Sequence, residues 1–214
     1  MKTKQPSVAW LISLLVFAAC GATALRAQSP NEVLRPPKGA KVAIVVFEDL
    51  ECPDCARAAP LVLDAAKAYK IPVVRYDFPL PQHLWSFDAA VQARYFGSKS
   101  PALGVEFREY IFSHQQEITG ANPLDETGQK QRLRAASEKF AQAHKLALPF
   151  VVDPQNKFAN AVRADRDIGT RIGIQHTPTL YVVNNSRTGR PFIEVVDRSQ
   201  LFQLIDQMIS EAGS

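Results

Sequence analysis

Cys52 and Cys55 lie two residues apart in the segment Cys52-Pro53-Asp54-Cys55. Two thiols at this spacing can close a small disulfide ring and open it again by thiol–disulfide exchange. A disulfide that only stabilises a fold contributes most when it closes a long loop, because the unfolded chain then loses more conformational entropy. A loop of two intervening residues offers little of that stabilisation. The spacing therefore indicates redox chemistry rather than a structural cross-link.

The segments on either side of the cysteine pair predict a strand followed by a helix. Residues 41–47 are apolar and mostly β-branched, as in a buried strand, and residues 56–69 carry apolar side chains at helical spacing. Pro53 suits the first position of a helix, where a backbone N–H has no partner within the helix. Cys52 is therefore predicted at a helix N-terminus, where free amides and the helix dipole favour a thiolate.

Residues 1–27 have the pattern of a secretory signal peptide. A start containing Lys2 and Lys4 precedes an apolar stretch, residues 8–19, which is shorter than a typical membrane-spanning helix. The small residues of Ala22-Thr23-Ala24 match a cleavage site. We therefore expect export to a bacterial periplasm or its equivalent.

A second interpretation takes Phe17-Ala18-Ala19-Cys20 as a bacterial lipoprotein signal that ends before Cys20. The protein would then be anchored to a membrane by a lipid on Cys20. Phe17 stands where such signals usually carry leucine, so cleavage as an ordinary signal peptide is the favoured interpretation.

The remaining chain is nearly neutral and has a composition typical of one folded domain. The signal segment holds three of the basic residues and no acid, which leaves +1 of the formal net charge of +4. This balance argues against a nucleic-acid partner. In a chain cut beyond Cys20, the remaining cysteines are Cys52 and Cys55, and an oxidising compartment lets such a pair persist as a disulfide.

The first half of the exported chain predicts a β-α-β unit followed by helices. Residues 28–39 contain three prolines and predict an irregular lead-in, and residues 71–78 predict a second strand parallel to the first. Residues 84–146 show helical patterns without a strand-like run. We interpret this region as a helical insertion into a β-α fold.

The second half predicts one more helix, two strands and a C-terminal helix. The helix runs from Asn156 or Lys157 to Ile172, and the strands cover residues 180–183 and 192–196. The last helix carries apolar residues at positions i, i+3, i+4, i+7 and i+8, which predicts one face packed on a sheet. These residues are Leu201, Leu204, Ile205, Met208 and Ile209.

Thr177-Pro178-Thr179, which precedes the later strand, combines with the Cys-Pro-Asp-Cys segment into a specific pattern. The pairing resembles the thioredoxin superfamily, and residues 77–81 and 165–178 resemble its DsbA-like exported branch. The resemblance covers roughly residues 38–212. It implies an α/β protein with a thioredoxin fold, in which helices flank a mixed central sheet. The domain would span residues 40–212 and contain the helical insertion.

The resemblance also implies the roles of the site residues. Cys52 would be the exposed thiolate or the attacked sulfur, and Cys55 the buried resolving thiol. Pro53 and Asp54 complete the active-site motif, while Thr177 and a cis Pro178 would shape the groove for a substrate strand. The implied activity is thiol–disulfide exchange with protein substrates, as oxidase, reductase or isomerase.

This chemistry uses the two sulfurs alone, so no cofactor is expected. A membrane or periplasmic redox partner would reset the cysteine pair after each turnover. Contact with a membrane by the protein itself is expected only if Cys20 is lipidated.

The sequence departs from the family pattern beside the cysteines. Val46 stands six residues before Cys52, where many relatives carry a buried acid that assists proton transfer. One of the nearby acids Glu48, Asp49 and Glu51 could substitute for that acid, but the favoured interpretation is that they are solvated loop charges.

Asp54 stands where strongly oxidising relatives carry a histidine. A carboxylate there disfavours a second negative charge on Cys52 and raises the thiol pKa, unless it points to water. We hypothesise a weaker oxidant than the relatives with histidine.

Two other functions are compatible with the same residues. His176 precedes Thr177-Pro178 and, with Cys52 and Cys55, could supply three ligands to copper or another soft metal ion. His83, His114 and His144 are interpreted as solvated. A non-catalytic periplasmic binding module, with the disulfide kept only for shape, is the second alternative.

Overall fold

The computed structural model describes residues 30–186 and 189–212. The predicted signal segment and Cys20 lie outside the described residues. The described chain contains a four-stranded sheet in the order β2-β1-β3-β4. β1 pairs in parallel with β2, and the other pairs are antiparallel, which confirms the predicted mixed sheet. The strands are β1 Val42–Glu48, β2 Val73–Asp77, β3 Thr179–Asn184 and β4 Phe192–Glu194.

β1 is the central strand of the described sheet, and every one of its residues is buried. Its β-branched and aromatic side chains suit a strand that is covered on both faces and paired on both edges. Val46 lies in the middle of this strand, opposite Arg75 in β2 and Leu180 in β3. β1 ends at Glu48, directly before the loop that leads to the cysteines.

Helices flank the sheet and form the region between β2 and β3. One helical turn, α1, lies within the predicted lead-in because Val33 and Leu34 pack on the sheet beside Val45 and Phe47. That lead-in is therefore not irregular throughout. A short 3-10 helix, Arg198–Gln200, precedes the last helix. The helices are α1 Pro30–Val33, α2 Pro53–Tyr69, α3 Ser86–Lys99, α4 Pro101–Ser113, α5 Gln115–Thr119, α6 Glu126–Ala143, α7 Lys157–Ile172 and α8 Leu201–Glu211.

Local sequence explains several helix ends. The side chains of Ser100 and Asp125 accept backbone N–H groups in the first turns of α4 and α6. α7 ends at Gly173, whose φ of 91° lies in the left-handed region that glycine adopts without a Cβ penalty. In α8, Leu201, Ile205 and Met208 are completely buried and Leu204 is partly buried, as the apolar stripe predicts. Ile209 is 43% exposed, so its prediction as a core-facing residue was wrong. None of the helices in the described part of the chain is long and apolar enough to cross a membrane.

The helical region between β2 and β3 packs against the active-site helix rather than standing apart. Its core is built from aromatic rings, including Trp85, Phe96 and Phe107, and the same hydrophobic cluster contains Cys52 and Cys55. The ring centroids of Phe96 and Phe107 are 4.6 Å apart. The aromatic core of this region therefore continues to the two sulfurs.

A buried network of opposite charges joins this helical region to the sheet. Arg108 of α4 donates from Nη1 to Oε1 of Glu48 at 2.9 Å and from Nη2 to Oδ1 of Asp77 at 2.6 Å. Glu48 also pairs with Arg75, and Asp77 also pairs with Arg94. Both carboxylates lie at the C-terminal ends of neighbouring parallel strands. Each is thus held by two guanidinium groups, which offsets the cost of burying its charge.

We predict that Arg108→Leu lowers the free energy of unfolding by about 3–5 kcal/mol, because Glu48 and Asp77 each lose one of their guanidinium partners while remaining buried. Chemical denaturation followed by circular dichroism measures the loss. The matched control is Lys139→Met, which removes an exposed ion pair with Glu117 and should lower the free energy of unfolding far less. Equal losses in the two variants would contradict the role of the buried network.

Candidate active site

Cys52 lies directly before the first residue of α2, in an extended conformation with φ −71° and ψ 119°. Pro53 occupies the first helical turn, where its missing N–H breaks no hydrogen bond. The backbone N–H groups of Asp54 and Cys55 have no partner within the helix and interact with the Cys52 sulfur. The predicted position of the cysteine at a helix N-terminus is what the structure shows.

The two sulfurs lie in different environments although both are buried. Cys52 is 6% exposed and Cys55 is 2% exposed, so Cys52 is less exposed than the resemblance implied. The backbone N–H of Asp49 donates to the Cys55 sulfur at 3.4 Å. Burial, followed by the proximity of Cys52, raises the pKa of Cys55 far above its ordinary value. Cys55 therefore stays a neutral thiol in the reduced protein.

Hydrogen bonds lower the pKa of Cys52 to about 5. The largest cause is the hydrogen bond from the Cys55 side chain, which outweighs the opposing effect of burial. Thr177 and the two amides of the helix N-terminus lower the pKa further. At neutral pH the reduced pair thus holds one thiolate at Cys52 and one thiol at Cys55.

The segment before β3 completes the site from the other side. The Thr177–Pro178 peptide bond is cis. The Thr177 carbonyl accepts a hydrogen bond from the protonated Cys52 thiol, with 3.3 Å between sulfur and oxygen. The Thr177 hydroxyl is buried and has no hydrogen-bond partner among the described residues, so its O–H is free to turn toward a Cys52 thiolate. Thr177 and Pro178 are thus brought to the cysteines from 125 residues away.

The acids of the preceding loop are buried or half-buried, so their interpretation as solvated charges was wrong. Glu48 pairs with Arg108 and Arg75, and Asp49 is 1% exposed. Glu51 accepts the backbone N–H of Trp85 at 2.8 Å, and burial raises its pKa. The error arose because the partners of these acids come from distant parts of the chain.

His83 is half-buried, contrary to its interpretation as a solvated residue. Its Nδ1 lies 2.7 Å from Oδ2 of Asp49, and this hydrogen bond raises the His83 pKa. Ser86, which follows in the same segment, is the first residue of α3 and donates its hydroxyl to the same carboxylate.

His176 is not brought together with Cys52 and Cys55 as a metal site. Among the described residues, no three His, Cys, Asp or Glu side chains are placed to hold a metal ion. The His176 Nδ1 lies 3.4 Å from the hydroxyl of Thr179, and His176 lines a cavity together with Asp54 and Pro178. The described residues therefore offer no preformed metal site that includes His176.

Gln115 holds the active-site loop in place, and sequence reasoning missed it. Its side-chain amide donates to the carbonyl oxygens of Leu50 at 2.8 Å and Cys52 at 3.0 Å. Gln115 is buried although it lies in a helical region where a glutamine is typically exposed. No pattern in the sequence singles it out, because its two partners lie more than 60 residues earlier in the chain.

Comparison with known proteins agrees with this geometry. The model of the family Thioredoxin_4, described as Thioredoxin, matches residues 29–206. The chain belongs to this family. A comparison with curated proteins returns no match.

Three solved structures share the fold over most of their length. The α-DsbA1 protein of Wolbachia pipientis is 17% identical with a TM-score of 0.61, covering 85% of this chain and 96% of that chain. DsbA2 of Pseudomonas aeruginosa is 19% identical with a TM-score of 0.57, covering 84% and 95%. A periplasmic thioredoxin-like protein from Salmonella enterica serovar Typhimurium is 18% identical with a TM-score of 0.59, covering 82% and 88%.

The identities are low, so these structures establish the fold. The family match places the chain in the thioredoxin superfamily, as the Cys-Pro-Asp-Cys and Thr-Pro-Thr segments predicted, and its fold is similar to that of DsbA proteins. Cys52 and Cys55 lie close together as the candidate redox pair.

We predict that Cys55→Ala raises the pKa of Cys52 above its value of about 5, because the largest stabilising hydrogen bond is lost. Thiolate absorbance in the ultraviolet, recorded on the reduced protein across pH, measures the midpoint. The matched control is Cys52→Ala, which should show no thiolate at neutral pH because the Cys55 pKa is raised. An unchanged midpoint in Cys55→Ala would refute the proposed stabilisation.

Proposed function

We propose that this protein is an exported thiol–disulfide oxidoreductase that exchanges disulfides with protein substrates through Cys52 and Cys55, and that oxidation of the substrate is the favoured direction. The observation that carries the proposal is the unequal environment of the two sulfurs. Cys52 is stabilised as a thiolate with a pKa of about 5, while burial keeps Cys55 protonated. The Cys52 sulfur can thus be attacked and can act as a leaving group. The Cys55 thiol can resolve the mixed disulfide.

The low pKa of Cys52 supports the oxidising direction. A thiolate with a pKa of about 5 stabilises the reduced pair at pH 7 by about 2–3 kcal/mol relative to an unperturbed thiol. For a two-electron couple this corresponds to a reduction potential about 60 mV more positive. A more stable reduced form accepts electrons more readily from substrate thiols. The low pKa of Cys52 therefore indicates a stronger oxidant than the one hypothesised from Asp54 in the sequence.

The first step begins with the Cys52–Cys55 disulfide. A substrate thiolate attacks the Cys52 sulfur, the bond between the two enzyme sulfurs breaks, and a mixed disulfide forms between substrate and Cys52. Cys55 leaves with the electron pair and takes up a proton, as its raised pKa favours. The backbone around Thr177 and Pro178 would hold an extended substrate segment beside the sulfur.

In the second step, another substrate thiolate attacks the substrate sulfur of the mixed disulfide. Cys52 leaves as the stabilised thiolate, and the substrate carries away a new disulfide. Two electrons pass from the substrate to the cysteine pair. Of the two protons that the substrate thiols release, one is held by Cys55 and one goes to solvent. A periplasmic or membrane redox partner would then reoxidise the pair.

Export to the periplasm is supported by the signal-like residues 1–27 and by the chemistry of the pair. Similarity to a periplasmic thioredoxin-like protein agrees with this location. An oxidising compartment is also where a disulfide donor has substrates, because reduced chains arrive there during secretion.

We predict a reduction potential between roughly −180 and −120 mV for the Cys52–Cys55 couple, since its reduced form carries a stabilised thiolate. Equilibration with glutathione, followed by alkylation and mass measurement, gives the value. The oxidised protein should also introduce disulfides into a reduced, unfolded thiol protein, and Cys52→Ala should abolish this activity. Cys55→Ala should abolish it as well, because it cannot form the enzyme disulfide that accepts the two electrons from the substrate.

A potential at or below roughly −230 mV would overturn the oxidising direction and favour reduction or isomerisation. Absence of disulfide transfer by the wild-type protein, together with a biological function that survives Cys52→Ser, would favour the non-catalytic binding module, in which the disulfide serves only the shape of the protein. The reduction potential therefore tests the direction of thiol–disulfide exchange, and the Cys52 variant tests whether exchange is the function at all.

We also predict that the full chain, produced in a bacterium with a periplasm, is recovered there without its first residues. Mass measurement of the purified protein should place the new N-terminus after Ala24 or Ala27 and should be unaffected by Cys20→Ser. Retention in the membrane fraction that is lost in Cys20→Ser would instead establish lipid anchoring.

A further inference from the structure

Asp54, the second residue between the two cysteines, accepts hydrogen bonds from Arg198, which lies near the C-terminal end of the chain. Arg198 donates from Nη2 to Oδ1 of Asp54 at 2.8 Å and from Nη1 to the backbone carbonyl of Asp54 at 3.2 Å. The two residues are 144 positions apart in the sequence. One guanidinium group thus contacts both the charge and the backbone of the active-site motif.

The segment that carries Arg198 is itself fixed. The N–H of Val195 donates to the carbonyl of Leu180 in β3 at 2.8 Å, and Asp197 caps the 3-10 helix by accepting the N–H of Ser199 at 2.9 Å. Arg198 is the first residue of that helix. The backbone that carries the Arg198 guanidinium is therefore held in place by hydrogen bonds.

Arg198 borders the cis-proline segment as well as the redox motif. Arg198, Asp54 and Pro178 line one cavity of about 280 Å³. The cavity therefore joins the redox motif to the cis-proline segment.

Arg57 also reaches the Asp54 carboxylate, at 3.1 Å, but in a different way. It lies three residues later on the same helix, and its side chain is 68% exposed compared with 34% for Arg198. Exposed pairs within one helix contribute little and are screened by salt. Arg57 thus offers a matched comparison, because it contacts the same oxygen without the link to the backbone carbonyl.

We propose that Arg198 is a positioning residue of the redox site, which neutralises Asp54 and fixes the backbone between the cysteines so that a carboxylate beside Cys52 does not disfavour the thiolate. The proposal rests on the proposed function and deepens it. It explains how a chain with aspartate at this position keeps the stabilised thiolate that an oxidising pair requires. An uncompensated carboxylate there would repel the negative charge that reduction creates.

A double-mutant cycle with Arg198→Met and Asp54→Asn tests the proposal. Arg198→Met alone should raise the Cys52 pKa and lower the equilibrium constant for reduction by glutathione by about three- to tenfold. In the Asp54→Asn background the same substitution should change that constant less than about twofold. Arg198→Lys, which keeps the charge, should retain most of the wild-type value, and Arg57→Met should have the smaller effect expected of an exposed pair.

Equal shifts in both backgrounds, or no shift in either, would overturn the role of Arg198 toward Asp54. Chemical denaturation of each variant checks that it is folded under the conditions of the redox measurement. If the unchanged protein forms no disulfide that exchanges with glutathione, the proposed function fails. The titration of the Cys52 thiolate still decides the role of Arg198 in that case, so the two failures are distinguishable.

Discussion

The carboxylate of Asp49 is buried at the point where β1 gives way to the helix of the cysteines, and the site depends on the hydrogen bonds that compensate this burial. Its oxygens accept the N–H groups of Glu51 at 2.8 Å and Leu80 at 2.7 Å, together with hydrogen bonds from His83 and Ser86. An uncompensated charge in this position would be costly. Its oxygens thus join the active-site loop, the loop after β2 and the start of α3 at one point, while its own N–H contacts the Cys55 sulfur.

The helical region contributes to the site through polar contacts as well as through its aromatic core. Arg108 joins α4 to the ends of β1 and β2, and Gln115 binds the carbonyl oxygens of Leu50 and Cys52. These contacts fix the loop that presents the sulfur. The region between β2 and β3 is thus part of the framework of the site.

The unequal chemistry of the two sulfurs follows from a displacement of one helical turn. Cys52 precedes the helix and receives hydrogen bonds from its first free amides, whereas Cys55 lies inside the first turn and faces the protein core. Hydrogen bonds to a charged group favour the charge, and burial without enough of them disfavours it. The same short segment therefore supplies both a stabilised thiolate and a protected thiol. Thr177 adds to the contrast because it contacts Cys52.

The sequence by itself determined the features that depend on local patterns: the buried strand before Cys52, the helix that begins at Pro53 and the family. Hydrophobic periodicity, proline geometry and motif spacing act over a few residues, so they are readable without a fold. The tertiary structure alone decided the state of the charged groups. Asp49, His83 and Arg198 acquire their roles from partners about 30 to 140 positions away, and their burial cannot be read from neighbouring residues.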